Sequence, residues 1–221
     1  MIKFLQNMEY FALFCVLYIG RLKSEDMPPS FDVDDELVAK AKKGDRRAFD
    51  ELYNKYKRPI LNYIYRLTGD FHQAEELTHE TFIRVYTNID RYIKKAKFSS
   101  WVYTIAGNLT KNFLRDRSYI EKVSIDKKIA KEEGEISLLD VIADETKRPD
   151  DQILKKEKER LIQRGIDKLK PKHKQVIILC DIQGLSYEDA AGILKCPPVT
   201  VGSRLSRARE NLARILRFYE R

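Results

Sequence analysis

Residues 170–212, KPKHKQVIILCDIQGLSYEDAAGILKCPPVTVGSRLSRARENL, hold the pattern from which the rest of the chain is best read. From Val201 the apolar residues recur as Val201, Leu205, Ala208, Leu212 and Ile215, steps of four and three that lay one stripe along a helix. The opposite side carries Ser203, Arg204, Ser206, Arg207, Arg209 and Arg214. Guanidinium forks and short hydroxyls on an exposed face suit phosphates and base edges. Upstream, Ser186 with Asp189 three residues later gives a capping-box-like start to a helix through Ala190, Ala191 and Leu194. Lys195-Cys196-Pro197 then breaks the chain, and Pro198 fits the first turn of the next helix. Two short helices about a tight turn, the second basic and exposed, predict a helix-turn-helix whose second helix enters a major groove.

An amphipathic helical hairpin with a merely solvated cationic face would show the same period, so composition has to separate the two. From Val199 to Arg221 there are six arginines, two glutamates and no lysine. Arginine is favoured where planar, bidentate recognition of phosphate or guanine matters, whereas a solvated face mixes in lysine and more glutamate. The whole chain leans the same way. Its formal charge of +8 and pI near 9.2 favour an anionic partner, nucleic acid first and an acidic membrane surface second. At 221 residues and 43% hydrophobic content it can bury one large core or two small ones. Cys15, Cys180 and Cys196 are dispersed and odd in number, which argues against a disulfide framework and for a reducing, cytoplasmic setting. His72, His79 and His173 are the only histidines and no Cys-x-x-Cys occurs, so neither a metal site nor a cofactor is expected. Cys180, after Val176, Ile177, Ile178 and Leu179, reads as a small buried hydrophobe.

Working toward the N-terminus, the chain divides into four parts. Residues 1–33 are an extension whose apolar run, Phe11 to Ile19, is too short for a bilayer, which takes about 20 residues. It also lacks the basic start and small-residue cleavage site of a signal peptide, so either translation begins at Met27 or the first 26 residues are peripheral. Residues 34–117 read as four helices. Leu37, Val38 and Ala41 lie on the first; Phe49, Leu52, Tyr53, Tyr56, Ile60, Ile64 and Leu67 lie on the second, with Asp45 as N-cap and Gly69 as stop. Ala74, Leu77, Thr81, Phe82, Val85 and Tyr86 are placed inward on the third, with Glu75, Glu76, His79 and Glu80 outside. The fourth, from about Ser99, buries Trp101 or Val102, Ile105, Leu109 and Phe113 and exposes Asn108, Lys111, Asn112 and Arg115. Between the last two lies Arg91-Tyr92-Ile93-Lys94-Lys95-Ala96-Lys97-Phe98, cations interleaved with aromatics, as a single-stranded nucleic acid requires. Trp101 is expected to plug the core and Tyr92, among charged neighbours, to be the stacking residue. Residues 118–152 form an acidic linker: from Ser118 to Lys155 ten acids face seven bases, and its apolar knot is Ile136, Leu138, Leu139, Val141 and Ile142. Residues 153–221 are the second domain, entered through a charged helix with Leu154, Leu161, Ile162, Ile166 and Leu169.

Two separate stretches resemble one family, the bacterial RNA polymerase sigma factors of the extracytoplasmic-function (ECF) type. Glu75-Glu76-Leu77-Thr78-His79-Glu80-Thr81-Phe82 and Phe98-Ser99-Ser100-Trp101-Val102-Tyr103-Thr104-Ile105-Ala106-Gly107-Asn108 are similar to the family's region 2. Gly184-Leu185-Ser186-Tyr187-Glu188-Asp189-Ala190-Ala191, with Ile193-Leu194, Cys196-Pro197, Thr200-Val201, Ser203-Arg204-Leu205 and Arg207-Ala208-Arg209, is similar to region 4. The resemblance implies an all-α protein of two small helical domains, a four-helix region 2 and a helix-turn-helix region 4, joined by a flexible acidic linker. It implies core RNA polymerase and promoter DNA as partners, an anti-sigma factor as the restraint that can hold the protein at the inner membrane face, and no small-molecule substrate. By the same resemblance Thr200, Ser203, Arg204, Ser206 and Arg207 meet the −35 element. Tyr92 and Asn108, with Lys111 and Arg115, meet the −10 element, where a base is flipped from the opened strand at a cost that stacking and hydrogen bonds must offset. Glu76, His79 and Glu80 face the polymerase clamp. The chain departs from the family where Gly-Thr-Val-Lys-Ser-Arg is usual, with Val199 and Gly202 in place of the Gly and Lys; His79 stands for the usual Gln, and Lys170 where Leu-Pro is expected.

Two other classes compete. A stand-alone helix-turn-helix regulator with a sensing or dimerising first domain accounts for the second domain equally well, and leaves the aromatic-basic loop and the acidic helix face without a purpose. An enzyme would need a phosphate-cradling glycine loop, a nucleophile with its base or a metal cluster, and the sequence offers none at a recognisable spacing.

Overall fold

The computed structural model describes residues 31–123 and 159–219, and the described residues contain helices and no strand. The extension to residue 30, with its apolar run and Met27, and residues 124–158, with the apolar knot and Leu154, lie outside them. Helix α1 spans Phe31–Lys42, α2 Arg46–Thr68, α3 Phe71–Asn88 and α4 Phe98–Val123, with a short 3₁₀ turn at Ile89–Arg91. A helix over 159–167 (α5) follows, then α6 (Pro171–Ile177), α7 (Tyr187–Leu194) and α8 (Pro198–Tyr219).

Local chemistry sets the element ends. Asp45 sits in extended backbone and its carboxylate accepts from the Arg47 and Ala48 amides at 2.9 and 3.3 Å, which starts α2. Gly69 at φ 74° stops it, its amide reaching the Tyr65 carbonyl at 2.7 Å. Asp70 caps α3 through the Gln73 amide at 3.1 Å. Helix α4 runs six residues past the expected boundary at 117, because Ser118 to Val123 contain no Gly or Pro to stop a turn already propagating. The start of the expected linker is therefore helix.

In the first domain Leu52, Tyr56, Ile60, Tyr63 and Ile64 of α2 are buried against Ala74, Phe82 and Val85 of α3 and Val102, Tyr103 and Ala106 of α4. Ring edges meet ring faces in Tyr53–Phe82, Tyr56–Phe98 and Tyr63–Tyr103, with centroids 4.8, 5.7 and 5.2 Å apart. The Tyr56 hydroxyl and the Lys55 ammonium both bond Asp34, tying α1 to α2. Burial, and then Asp34, push the Tyr56 phenol well above its ordinary range. One inward assignment is corrected. Tyr86 is 52% exposed, packing its ring only edgewise on Phe49, while Thr78 is buried. The Thr78 and Thr81 hydroxyls satisfy themselves on the Ala74 and Leu77 carbonyls at 2.6 Å, so these polar residues can face the core.

The second domain packs α8 on α6 and α7 through Val201, Leu205, Ala208, Leu212 and Leu216. Ile215, expected on the stripe, is half-buried beside it. Helix α6 widens into a π turn over Ile178–Ile182, where the Gln183 amide bonds the Ile178 carbonyl at 2.8 Å; Cys180 is buried there. At Gly165 of α5 an added Cβ would lie 2.8 Å from Leu216 Cδ2 and 2.9 Å from Leu212 Cδ1, so α5 and α8 approach as closely as a glycine allows.

The two domains are not held apart. Their cores join, and a polar seam runs along the junction. Lys97 Nζ and Ser100 Oγ donate to Asp189 at 2.7 and 3.3 Å, Tyr103 Oη donates to Gln183 Oε1 at 2.8 Å, and Arg66 Nη1 donates to Gln163 Oε1 at 3.1 Å. Arg66 Nε and Gln183 Nε2, buried in the same seam, have no hydrogen-bond partner. Burial pulls the Arg66 pKa down from its ordinary value, against the pull of Glu159.

Candidate nucleic-acid interface

The helix-turn-helix forms as its capping residues dictate. Ser186 Oγ accepts from the Asp189 amide at 3.0 Å and opens α7, and Lys195 at φ 51° closes it in the left-handed region. The Pro197 carbonyl then accepts from the Thr200 and Val201 amides at 2.9 and 3.2 Å, and Pro198 begins α8.

With its stripe buried, α8 presents Val199, Ser203, Ser206, Arg207, Glu210 and Arg214 to solvent. Ser203 and Ser206 keep local bonds, to the Thr200 carbonyl at 3.1 Å and to Glu210 at 3.5 Å. Thr200 and Arg204 are half-buried and flank this face; Arg204 Nη1 lies 3.6 Å from Cys196 Sγ in the turn. Of the expected −35 residues, Ser203, Ser206 and Arg207 share the outward face and the other two border it. Arg209, on the basic side by sequence, grips Asp181 with both ends of its fork, Nε at 2.9 Å and Nη2 at 2.6 Å. That hydrogen bond raises the Arg209 pKa and fixes α8 to the π turn.

The loop after α3 is arranged differently from the expectation. Tyr92 is only 6% exposed. Its ring packs against Phe98 and Trp101 with centroids 5.6 and 5.3 Å away and the Lys42 ammonium 5.7 Å from its own, and its hydroxyl donates to the Ala96 carbonyl at 2.7 Å. Burial raises its phenolic pKa. Trp101, expected inside, is the partly exposed member of this trio. The two exchange roles because charged neighbours in sequence do not keep a ring in solvent when a second aromatic stands ready to cover it. Asn108, Lys111 and Arg115 are exposed on α4, with Arg115 Nε 3.1 Å from Asp116. Tyr92 is thus buried within its ring cluster while Asn108 stands exposed on α4, about 10 Å along the helix from Trp101.

On α3, Glu76 and His79 are exposed and Glu80 is half-buried, its carboxylate holding Arg84 Nε at 2.8 Å. Ile83 and Tyr86, 58% and 52% exposed, continue the His79 stripe at helical spacing. Sequence reading missed both as surface residues; the signal was an isoleucine three residues beyond Glu80 on the same face. Among the described residues no group of His, Cys, Asp or Glu could hold a metal ion, and no helix is long and apolar enough to cross a membrane.

Comparison with known proteins places this geometry. Residues 52–119 match the family described as Sigma-70 region 2, and residues 159–212 the one described as Sigma-70, region 4. The ECF RNA polymerase sigma factor SigW of Bacillus subtilis is 37% identical over 180 residues, covering 81% of this chain and 95% of that protein. The RNA polymerase sigma-H factor of Pseudomonas aeruginosa is 33% identical over 183 residues, 83% and 93% of the two chains. Among solved structures, CnrH in complex with the cytosolic domain of CnrY superposes with a TM-score of 0.61 at 20% identity, over 84% of this chain and 97% of that one. The sigma factor RpoE in complex with the anti-sigma factor NepR, from Bartonella quintana, gives 0.57 at 24% identity, over 76% and 96%. At such identities the likeness is one of fold.

Proposed function

The chain belongs to the ECF family of RNA polymerase sigma factors, and on that premise we propose how its surfaces divide the work of directing core polymerase to a promoter. Ser203, Ser206 and Arg207 on the outward face of α8 read the −35 element in the major groove, with Thr200 and Arg204 at its borders. Asn108, Lys111 and Arg115 on α4 engage the −10 element, and Tyr92 joins them once its loop opens. Glu76, His79 and Glu80, extended by Ile83 and Tyr86, form the surface that docks on the polymerase clamp, where an apolar centre with a charged rim suits a protein partner. Phosphodiester chemistry belongs to the polymerase. The protein works in the cytoplasm, where an anti-sigma factor restrains it, in some states at the inner membrane face.

The observation that carries this division is that one chain exposes an arginine-serine face on α8 and a second, separate basic-amide face on α4. Reconstitution tests it. The chain mixed with core polymerase is expected to start run-off transcription at a mapped promoter and to bind duplex DNA only weakly alone. Tight operator binding without polymerase, together with no run-off product in its presence, would show a stand-alone regulator instead.

A further inference from the structure

On the first turn of α8, Val199 is 84% exposed, the most exposed large hydrophobic side chain among the described residues. Packing does not ask for it there, and a β-branched residue is not a strong helix former. It stands at i, i+4, i+7 and i+8 with Ser203, Ser206 and Arg207, on the face assigned above to the −35 element. Its neighbours one turn on are both small. Gly202 weakens the helix relative to alanine, yet an added Cβ would meet only the Tyr187 ring, at 3.6 Å, an ordinary contact. Neither sterics nor backbone conformation therefore imposes the glycine. With Gly202 and Ser203 beside it, Val199 projects clear of the helix surface, and the helix can come close to a groove floor at this turn.

An isolated apolar knob with room for close approach has one complementary feature among base edges in the major groove, the C5-methyl group of thymine. We propose that Val199 is a specificity-determining residue that selects a thymine in the −35 element by contact with that methyl. The inference rests on the reading of α8 as the −35 helix and adds the base that its first turn selects. Two turns farther along the helix Arg207 reads by hydrogen bonding; Val199 reads by shape and desolvation.

The test uses the chain assembled with core polymerase. Duplexes enriched by this holoenzyme from a pool randomised over the −35 element define the preferred sequence. Each thymine in it is then replaced by uracil, which keeps the base pairing and removes only the methyl. At one position the replacement is expected to weaken binding by about threefold to fivefold, and Val199→Gly and Val199→Ser are expected to lose that difference while still melting as folded proteins. An enriched sequence without thymine, indifference to every uracil replacement, or sensitivity retained by both variants would overturn the assignment while leaving the −35 reading standing. A holoenzyme that enriches no −35 sequence at all overturns both.

Discussion

Helix α8 and the loop at residues 92–97 both face DNA in the proposed function, but the protein holds them in opposite ways. The outward face of α8 is fixed from behind: its apolar stripe is buried, and Arg209 locks it to Asp181 on the π turn. Nothing has to move for Ser203, Ser206 and Arg207 to meet a duplex. The loop is folded inward, its tyrosine buried under Trp101 and its Lys97 bound across the seam to Asp189 of the other domain. Reading a closed duplex needs only a rigid surface. Capturing a base from an opened strand needs a pocket that is not already filled by its own rings, so this site has to rearrange before it can act. The seam suits that requirement, because Arg66 Nε and Gln183 Nε2 are left without partners inside it, and a buried junction with orphaned donors is less favourable than a fully satisfied one.

This contrast can be broken at its strongest point first. Changing Leu205, almost wholly buried on the inward face of α8, to alanine is expected to cost about 3 kcal/mol of stability, measured by urea unfolding. A loss below about 1 kcal/mol would mean that the face is not held by its stripe. Next, Arg207→Ala should lose about 1–3 kcal/mol of discrimination at one −35 position if the contact to a base is bidentate. A uniform loss over all sequences would reassign Arg207 to phosphate positioning. The third test addresses the seam. A double-mutant cycle on Lys97→Ala and Asp189→Ala should return a coupling of about 0.5–1 kcal/mol. Because Trp101 is the only tryptophan, its fluorescence should become easier to quench in either single variant. Unchanged quenching would show that the loop is closed by its own aromatic packing alone. The smallest effect is expected for Tyr92→Phe, which removes only the hydroxyl bond to the Ala96 carbonyl and should cost about 0.5 kcal/mol in thermal unfolding. A much larger cost would make that bond, and not the ring stack, the clasp of the loop.

The same contrast explains what could be read from sequence. Val201, Leu205, Ala208 and Leu212 repeat with the helix period, so α8 and its outward face follow from local rules, as do the caps at Asp45 and Ser186. Tyr92 could not be placed that way, because its burial depends on Lys42, Phe98 and Trp101 meeting in three dimensions. The seam was equally hidden. Lys97 and Asp189 are 92 residues apart and Arg66 and Gln163 are 97 apart, and no periodicity links such pairs. Tyr86 misled in the other direction, since helical spacing and hydrophobicity put its ring inside, whereas it stands 52% exposed against the edge of Phe49.

Gly165 has a consequence well away from its own position. It sits against Leu212 and Leu216, about 20 Å along α8 from Val199. Helix α8 is thus a lever with its fulcrum at one end and its working tip at the other. A methyl group added at the fulcrum must be absorbed either by two buried leucines or by a tilt of the whole rod, and a tilt of a few degrees would carry the tip sideways by about an ångström. In the proposed function, the aim of α8 at the −35 element is therefore set in part by Gly165, packed at the far end of the rod.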